Sequence, residues 1–122
     1  MPSEHEHLSQ AERNERFAEH VLTWGDSDFT DWALTALFYA AVHYGRAYLA
    51  AKSVSWQPNH GGFKAAFVKT CASEALFRGY DKLKTRSERA RYNCVTFTLS
   101  DVTALQTSIY EPFRDGLLAL FP

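Results

Sequence analysis

Apolar residues recur along most of the chain at three- and four-residue intervals, the spacing of a helical face, rather than in the alternation of a strand. Phe17, Val21 and Trp24, with Leu22 alongside, outline an amphipathic helix whose outer face is acidic. Two starts are open to it. Ser3-Glu4-His5-Glu6 and Ser9-Gln10-Ala11-Glu12 each place a Glu three residues after a Ser, the pattern of a capping box. Residues 1–8 are expected to fray, and Gly25-Asp26-Ser27-Asp28 ends the helix.

From Thr30 to Lys52 the pattern changes, because apolar side chains occupy every face and no Pro interrupts them. Thr30 and Asp31 can cap its start. A helix apolar on all sides must be covered on most sides, so this segment is expected to be the central rod. Ser53 to Gly62 reads as a loop, with Trp56 at its tip and His60 at its exit. Trp56 either folds back onto the bundle or meets a partner.

Phe63, Ala66, Phe67 and Val68 predict a short third helix, and Ala75, Leu76, Tyr80 and Leu83 carry the period to about Arg86. Whether residues 70–73 bend this into two helices stays open. Asn93 to Leu99 is rich in β-branched residues but has no second strand to pair with, and so predicts an extended linker. Ser100 or Asp101 then caps a last helix with Val102, Leu105, Ile109 and Phe113 on one face, continued by Leu117 and Leu120. Pro112 lacks the amide hydrogen that a helix needs, which predicts a kink or restart near Ser108. The sum is an all-α, up-down bundle of four to five helices in a single domain spanning residues 1–122.

At 122 residues the chain can bury one core, and 46% apolar and 15% aromatic residues exclude a disordered class. No apolar run spans a bilayer without a His, Arg or Gly, and the N-terminus is acidic, so neither a membrane protein nor a secreted precursor is expected. Cys71 and Cys94 fit no metal-ligand pattern and suit a reducing cytoplasm, as two free, buried thiols. No metal or cofactor is expected, His5 and His7 included.

Charge is unevenly spread. Residues 1–31 hold eight acids against Arg13 and Arg16, whereas residues 46–91 hold ten bases against three acids. Such a chain can pair its own halves, pair with another copy, or offer its basic half to phosphates. The basic half is densest from Arg78 to Arg91, where Arg78, Lys82, Arg86, Arg89 and Arg91 lie beside Tyr80 and Tyr92, flat rings on which bases could stack. A solvated face accounts for the same run. Candidate chemistry lies on the rod as well: Tyr39, His43 and Arg46 share one helical face. That stripe is either a hydrogen-bonded core network or the wall of a site.

The rod segment Leu37-Phe38-Tyr39-Ala40-Ala41-Val42-His43-Tyr44 is followed by a loop ending in His60. Then come Tyr80-x-x-Leu83, Ser87-Glu88-Arg89-Ala90-Arg91-Tyr92 and a final helix. Together they resemble the higher eukaryotes and prokaryotes nucleotide-binding (HEPN) superfamily over about residues 15–120. The resemblance implies a small helical bundle, often a homodimer. Many members are metal-independent ribonucleases of toxin-antitoxin and phage-defence systems, and others bind nucleotides, RNA or proteins without catalysis. The family's active pattern is an Arg followed a few residues later by a His near the final helix. An Arg steadies phosphate charge while a His moves the 2′-hydroxyl proton. This chain departs from it, for no His follows His60. Arg13 and His20 carry the spacing on the first helix, where a surface pair explains them better. A composite site would need His43 and Arg46 to meet His60, Lys64 or Arg91. The alternative for His43 is a buried ring bonded to a carbonyl, and for Arg46 a salt bridge to a first-helix acid.

The leading expectation is a cytoplasmic HEPN-like domain that binds RNA or a nucleotide through Arg78, Lys82, Arg86, Arg89, Arg91 and Tyr92. The alternatives are a catalytically inactive, antitoxin-like protein-interaction module and a metal-independent ribonuclease using His43, Arg46 and His60.

Overall fold

Ser3, and not Ser9, opens the first helix in a computed structural model that describes residues 1–25 and 27–122, with His60 described by its backbone alone. The Ser3 hydroxyl accepts from the Glu6 amide and the Glu6 carboxylate accepts from the Ser3 amide, so both halves of the capping box form. Helix α1 (Glu4–Leu22) is therefore ordered where fraying was expected, and its inner stripe is His7, Ala11, Ala18 and Val21. Next come α2 (Thr30–Ala51), α3 (His60–Cys71), α4 (Glu74–Tyr92) and α5 (Leu99–Leu105). A π-helical turn, Gln106–Tyr110, joins α5 to α6 (Glu111–Leu118). Because α5, the turn and α6 run on without a break, the molecule is an all-α bundle of five rods.

Helix α2 is the central rod. Helices α1, α3, α4, α5 and α6 all pack on it, and Leu34, Leu37, Phe38, Val42 and Leu49 are buried along its length. Each such side chain contributes on the order of 1.5–3 kcal/mol by leaving water. Gly45 lets α3 come close, since a Cβ there would stand 2.6 Å from Cζ of the buried Phe63 ring. Thr30 does not cap α2 as expected. Phe29 holds the cap position, and the Thr30 hydroxyl donates instead to the carbonyl oxygen of Phe97 at 2.6 Å, fastening the 93–98 linker to the start of the rod.

The α3 to α4 junction is a true break. Ala72 adopts a left-handed backbone (φ +52°), and Ser73 caps α4 through the Leu76 amide. Helix α4 runs six residues past Arg86. At the far end Thr98, not Ser100 or Asp101, caps α5, with Asp101 completing a second capping box.

Pro112 produces a wide turn rather than a restart. The Glu111 amide donates to the carbonyl of Gln106, five residues back, and the hydroxyls of Thr107 and Ser108 bond the carbonyls of Thr103 and Ala104. The extra residue rotates the chain. Tyr110 takes the fully buried place expected of Ile109, which is left half-buried. Cys71 is buried, but Cys94 is exposed, contrary to expectation, because the linker turns it outward at φ +56°. Among the described residues no helix is long and apolar enough to cross a membrane.

Candidate functional site

The basic run on α4 divides in two. At 100° per residue, Arg78, Lys82, Arg86 and Arg89 fall within about 80° of one another, whereas Arg91 points to the opposite side with buried Tyr80 and Ser87. Lys82 and Arg89 are exposed and Arg86 is half-buried. Arg78 pairs with Glu74 one turn before it, and both side chains stand in solvent. Among the described residues no ion pair takes Lys82, Arg86 or Arg89. Helix periodicity thus builds a one-sided cationic stripe.

A groove runs between that stripe and the last rod. One section, of about 300 Å3, lies between Arg78 and Lys82 on one side and Ser108 and Pro112 on the other, over Phe113. The next, of about 430 Å3, shares Ser108 and Ile109 with it and continues past Arg86, Thr96, Phe97 and Asp101. The π turn supplies the shared wall. Asp101 faces this section, but its carboxylate already accepts the Thr98 amide hydrogen.

Arg91 is half-buried and turned toward α2. It donates to the hydroxyl of Tyr39 at 3.0 Å and to the carbonyl of Ser87, and its guanidinium lies within 5.0–5.6 Å of the ring centres of Phe38, Tyr39 and Tyr92. One expected binding residue therefore joins α4 to α2 while remaining half-buried beside the exposed Tyr92. Tyr92 beside it is 72% exposed, which leaves most of its ring free.

On α2 the three polar residues are half-buried, and each turns to a different neighbour. Tyr39 meets Arg91. His43 meets a residue that sequence reasoning missed: Nδ1 of His43 lies 3.1 Å from Nδ1 of His7 on α1. The His7 ring is 3% exposed and lies 6.2 Å from the Trp56 ring, so the loop tryptophan folds back over the pair. Arg46 stacks its guanidinium over Phe63, 5.6 Å from the ring centre, and makes no salt bridge to α1. Nε of Arg46 and Nε2 of His7 are buried without hydrogen-bond partners.

These surroundings keep both imidazoles neutral. Burial is the largest cause for His43, followed by the His7 ring and the Arg46 charge, and together they push it down to about 4. Burial and then Arg46 lower His7 as well, against an opposing pull from Glu6. A neutral imidazole beside a guanidinium can accept a proton while the cation holds an oxyanion.

The other candidates lie elsewhere. Lys64 pairs with Asp81 at 3.3 Å and covers Phe77. Arg13 and His20 are exposed on α1, with the His20 ring edge-on to Trp24. The His60 side chain lies outside the described residues. The acid of α1 that pairs with an arginine, among the described residues, is Glu15, which accepts from the hydroxyls of Tyr44 and Tyr110, each at 3.0 Å, and from Arg114. Among the described residues no three His, Cys, Asp or Glu side chains converge to hold a metal ion. No family model, curated protein or solved structure matches the chain.

Proposed function

We propose that the chain is a HEPN-like domain that binds RNA or a nucleotide through the outer face of α4. The alignment of Arg78, Lys82 and Arg86 along one groove, with Arg89 on the same face of α4, carries this reading. Four residues of helix advance about 6 Å, a step that lets successive cations meet successive phosphates of a single strand. Phe97 and Tyr92 near the far end supply rings for stacking.

Titration of labelled single-stranded RNA at two salt concentrations tests it. Three or four phosphate contacts predict a slope of log affinity on log salt of about −2 to −3, a loss of roughly 20- to 50-fold between 50 and 200 mM. The double variant Lys82→Glu, Arg89→Glu, changed only at exposed positions, should lose most of that affinity. Absence of RNA and nucleotide binding at low salt removes the reading. A protein retained by the same face from nuclease-treated cytoplasm would favour an acidic partner chain instead. The domain is taken to be a homodimer. Phe17, Trp24 and Phe29 leave about half of their surface uncovered on one edge of the bundle, and a mass measurement in solution decides whether a second copy covers them.

A further inference from the structure

Arg46 stands in an unusual setting. Its Nε is buried and unpartnered, its charge lies on the face of Phe63, and among the described residues no carboxylate reaches it. A half-buried cation with nothing to answer it costs stability. Beside it are His43, one turn earlier on α2, and His7 from α1, whose own Nε2 is also unpartnered. Three groups able to carry positive charge thus share one locus, and among the described residues the acid that acts on them is Glu6, which bears on His7 and makes no ion pair with Arg46.

We propose that Arg46, His43 and His7 form a second anion site, separate from the α4 face, which accepts a phosphate dianion and takes up a proton as it fills. Among the described residues the charged and titratable neighbours come from each packed element, and of these Glu6 opposes an anion. Helix α1 contributes Glu6 and the N-terminal amine near His7, and α2 contributes Arg46. Helix α4 contributes Tyr80, which feels the Arg46 charge. The loop and α3 contribute the uncharged rings of Trp56 and Phe63. With the site empty, Arg46 and burial disfavour a second cation. A dianion on Arg46 reverses the electrostatic part of that penalty and makes a second positive charge favourable.

The proton count follows from the Nδ1 to Nδ1 bond. One ring donates through Nδ1–H and the other accepts, so the pair can gain one proton at the Nε2 of the donating ring and keep the bond. A second proton would have to go on the accepting Nδ1 and would break it. Uptake is therefore at most one proton per anion. A singly charged carboxylate would satisfy Arg46 alone, whereas a dianion matches the guanidinium together with one imidazolium. Free phosphate and the terminal phosphate of a nucleotide present this chemistry equally.

The test is calorimetric titration of the full chain at about pH 7 with inorganic phosphate and, separately, with adenosine monophosphate. Each is run in two phosphate-free buffers of different ionisation enthalpy, while nitrogen NMR follows the imidazoles and shows that the ring, not the ligand, takes the proton. Expected are one millimolar or tighter site, uptake of a fraction of a proton, and movement of one ring of the His7–His43 pair toward imidazolium. Arg46→Met should weaken binding about tenfold or more. The Lys82→Glu, Arg89→Glu variant should bind phosphate as the wild type does, which separates this site from the α4 face whatever becomes of RNA binding. Binding of the nucleotide alone supports the site and names a nucleotide phosphate as its occupant. Binding of both supports it with free phosphate sufficient. If neither ligand moves the histidine rings of the wild-type chain, or if the α4 variant abolishes the effect, the site does not exist. Because the wild-type rings alone decide this, the inference stays testable even if Arg46→Met fails to fold.

Discussion

Glu15 gathers Tyr44 from α2, Tyr110 from the π turn and Arg114 from α6 onto one carboxylate that is 14% exposed. Replacing it with Leu strands two buried hydroxyls and one guanidinium together. Glu15→Leu should therefore lose about 2–4 kcal/mol and melt roughly 8–16 °C lower. Glu15→Gln, which keeps an acceptor for the tyrosines, should lose about half as much. A Glu15→Leu variant melting with the wild type would show that the cluster holds nothing together. Neither this cluster nor the His7 pair could be read from local pattern. An acid on an amphipathic helix looks like any solvated acid, and only the approach of α2 and of the last rod makes it a hub. His7 did leave a trace, because it shares a helical stripe with Ala11, Ala18 and Val21. Assigning residues 1–8 to a frayed end hid it.

At the scale of elements, the rod and its amphipathic neighbours were legible because burial imposes a period that composition cannot mask. The last rod was only half legible. Pro112 announced a disturbance, yet widening one turn and restarting the helix satisfy a missing amide equally well, and the choice set Tyr110 rather than Ile109 in the core. The start of α1 gives a direct test. Deleting residues 1–8 would be harmless to a frayed end. Here it removes the Ser3 capping box, the buried His7 ring and the cover over His43, at a cost of about 2 kcal/mol. The melting temperature should drop by roughly 8 °C, and Trp56 emission should shift to the red. Unchanged melting and emission would return these residues to the solvent.

For the whole molecule, stability should follow pH as a dome with both limbs assigned. Burial and then Glu15 raise Tyr44 and Tyr110, and burial pushes Tyr80 up to about 12. The unfolded chain releases these protons near pH 10 while the folded chain keeps them, so stability falls above pH 10, by up to about 4 kcal/mol per unit. On the acid side the unfolded histidines gain protons near pH 6.5 while His43 stays neutral to about 4. Stability is thus lost as pH falls through that window, by on the order of 1–2 kcal/mol once screening of a half-buried ring is allowed for. Urea midpoints at pH 4.5, 7 and 11 check both limbs, and a midpoint independent of pH contradicts them. The linker turn that places Cys94 in solvent while Cys71 stays inside has a practical corollary. A maleimide dye should label this chain once, two residues beyond Tyr92, and give an optical reporter at the end of α4 without any engineered mutation.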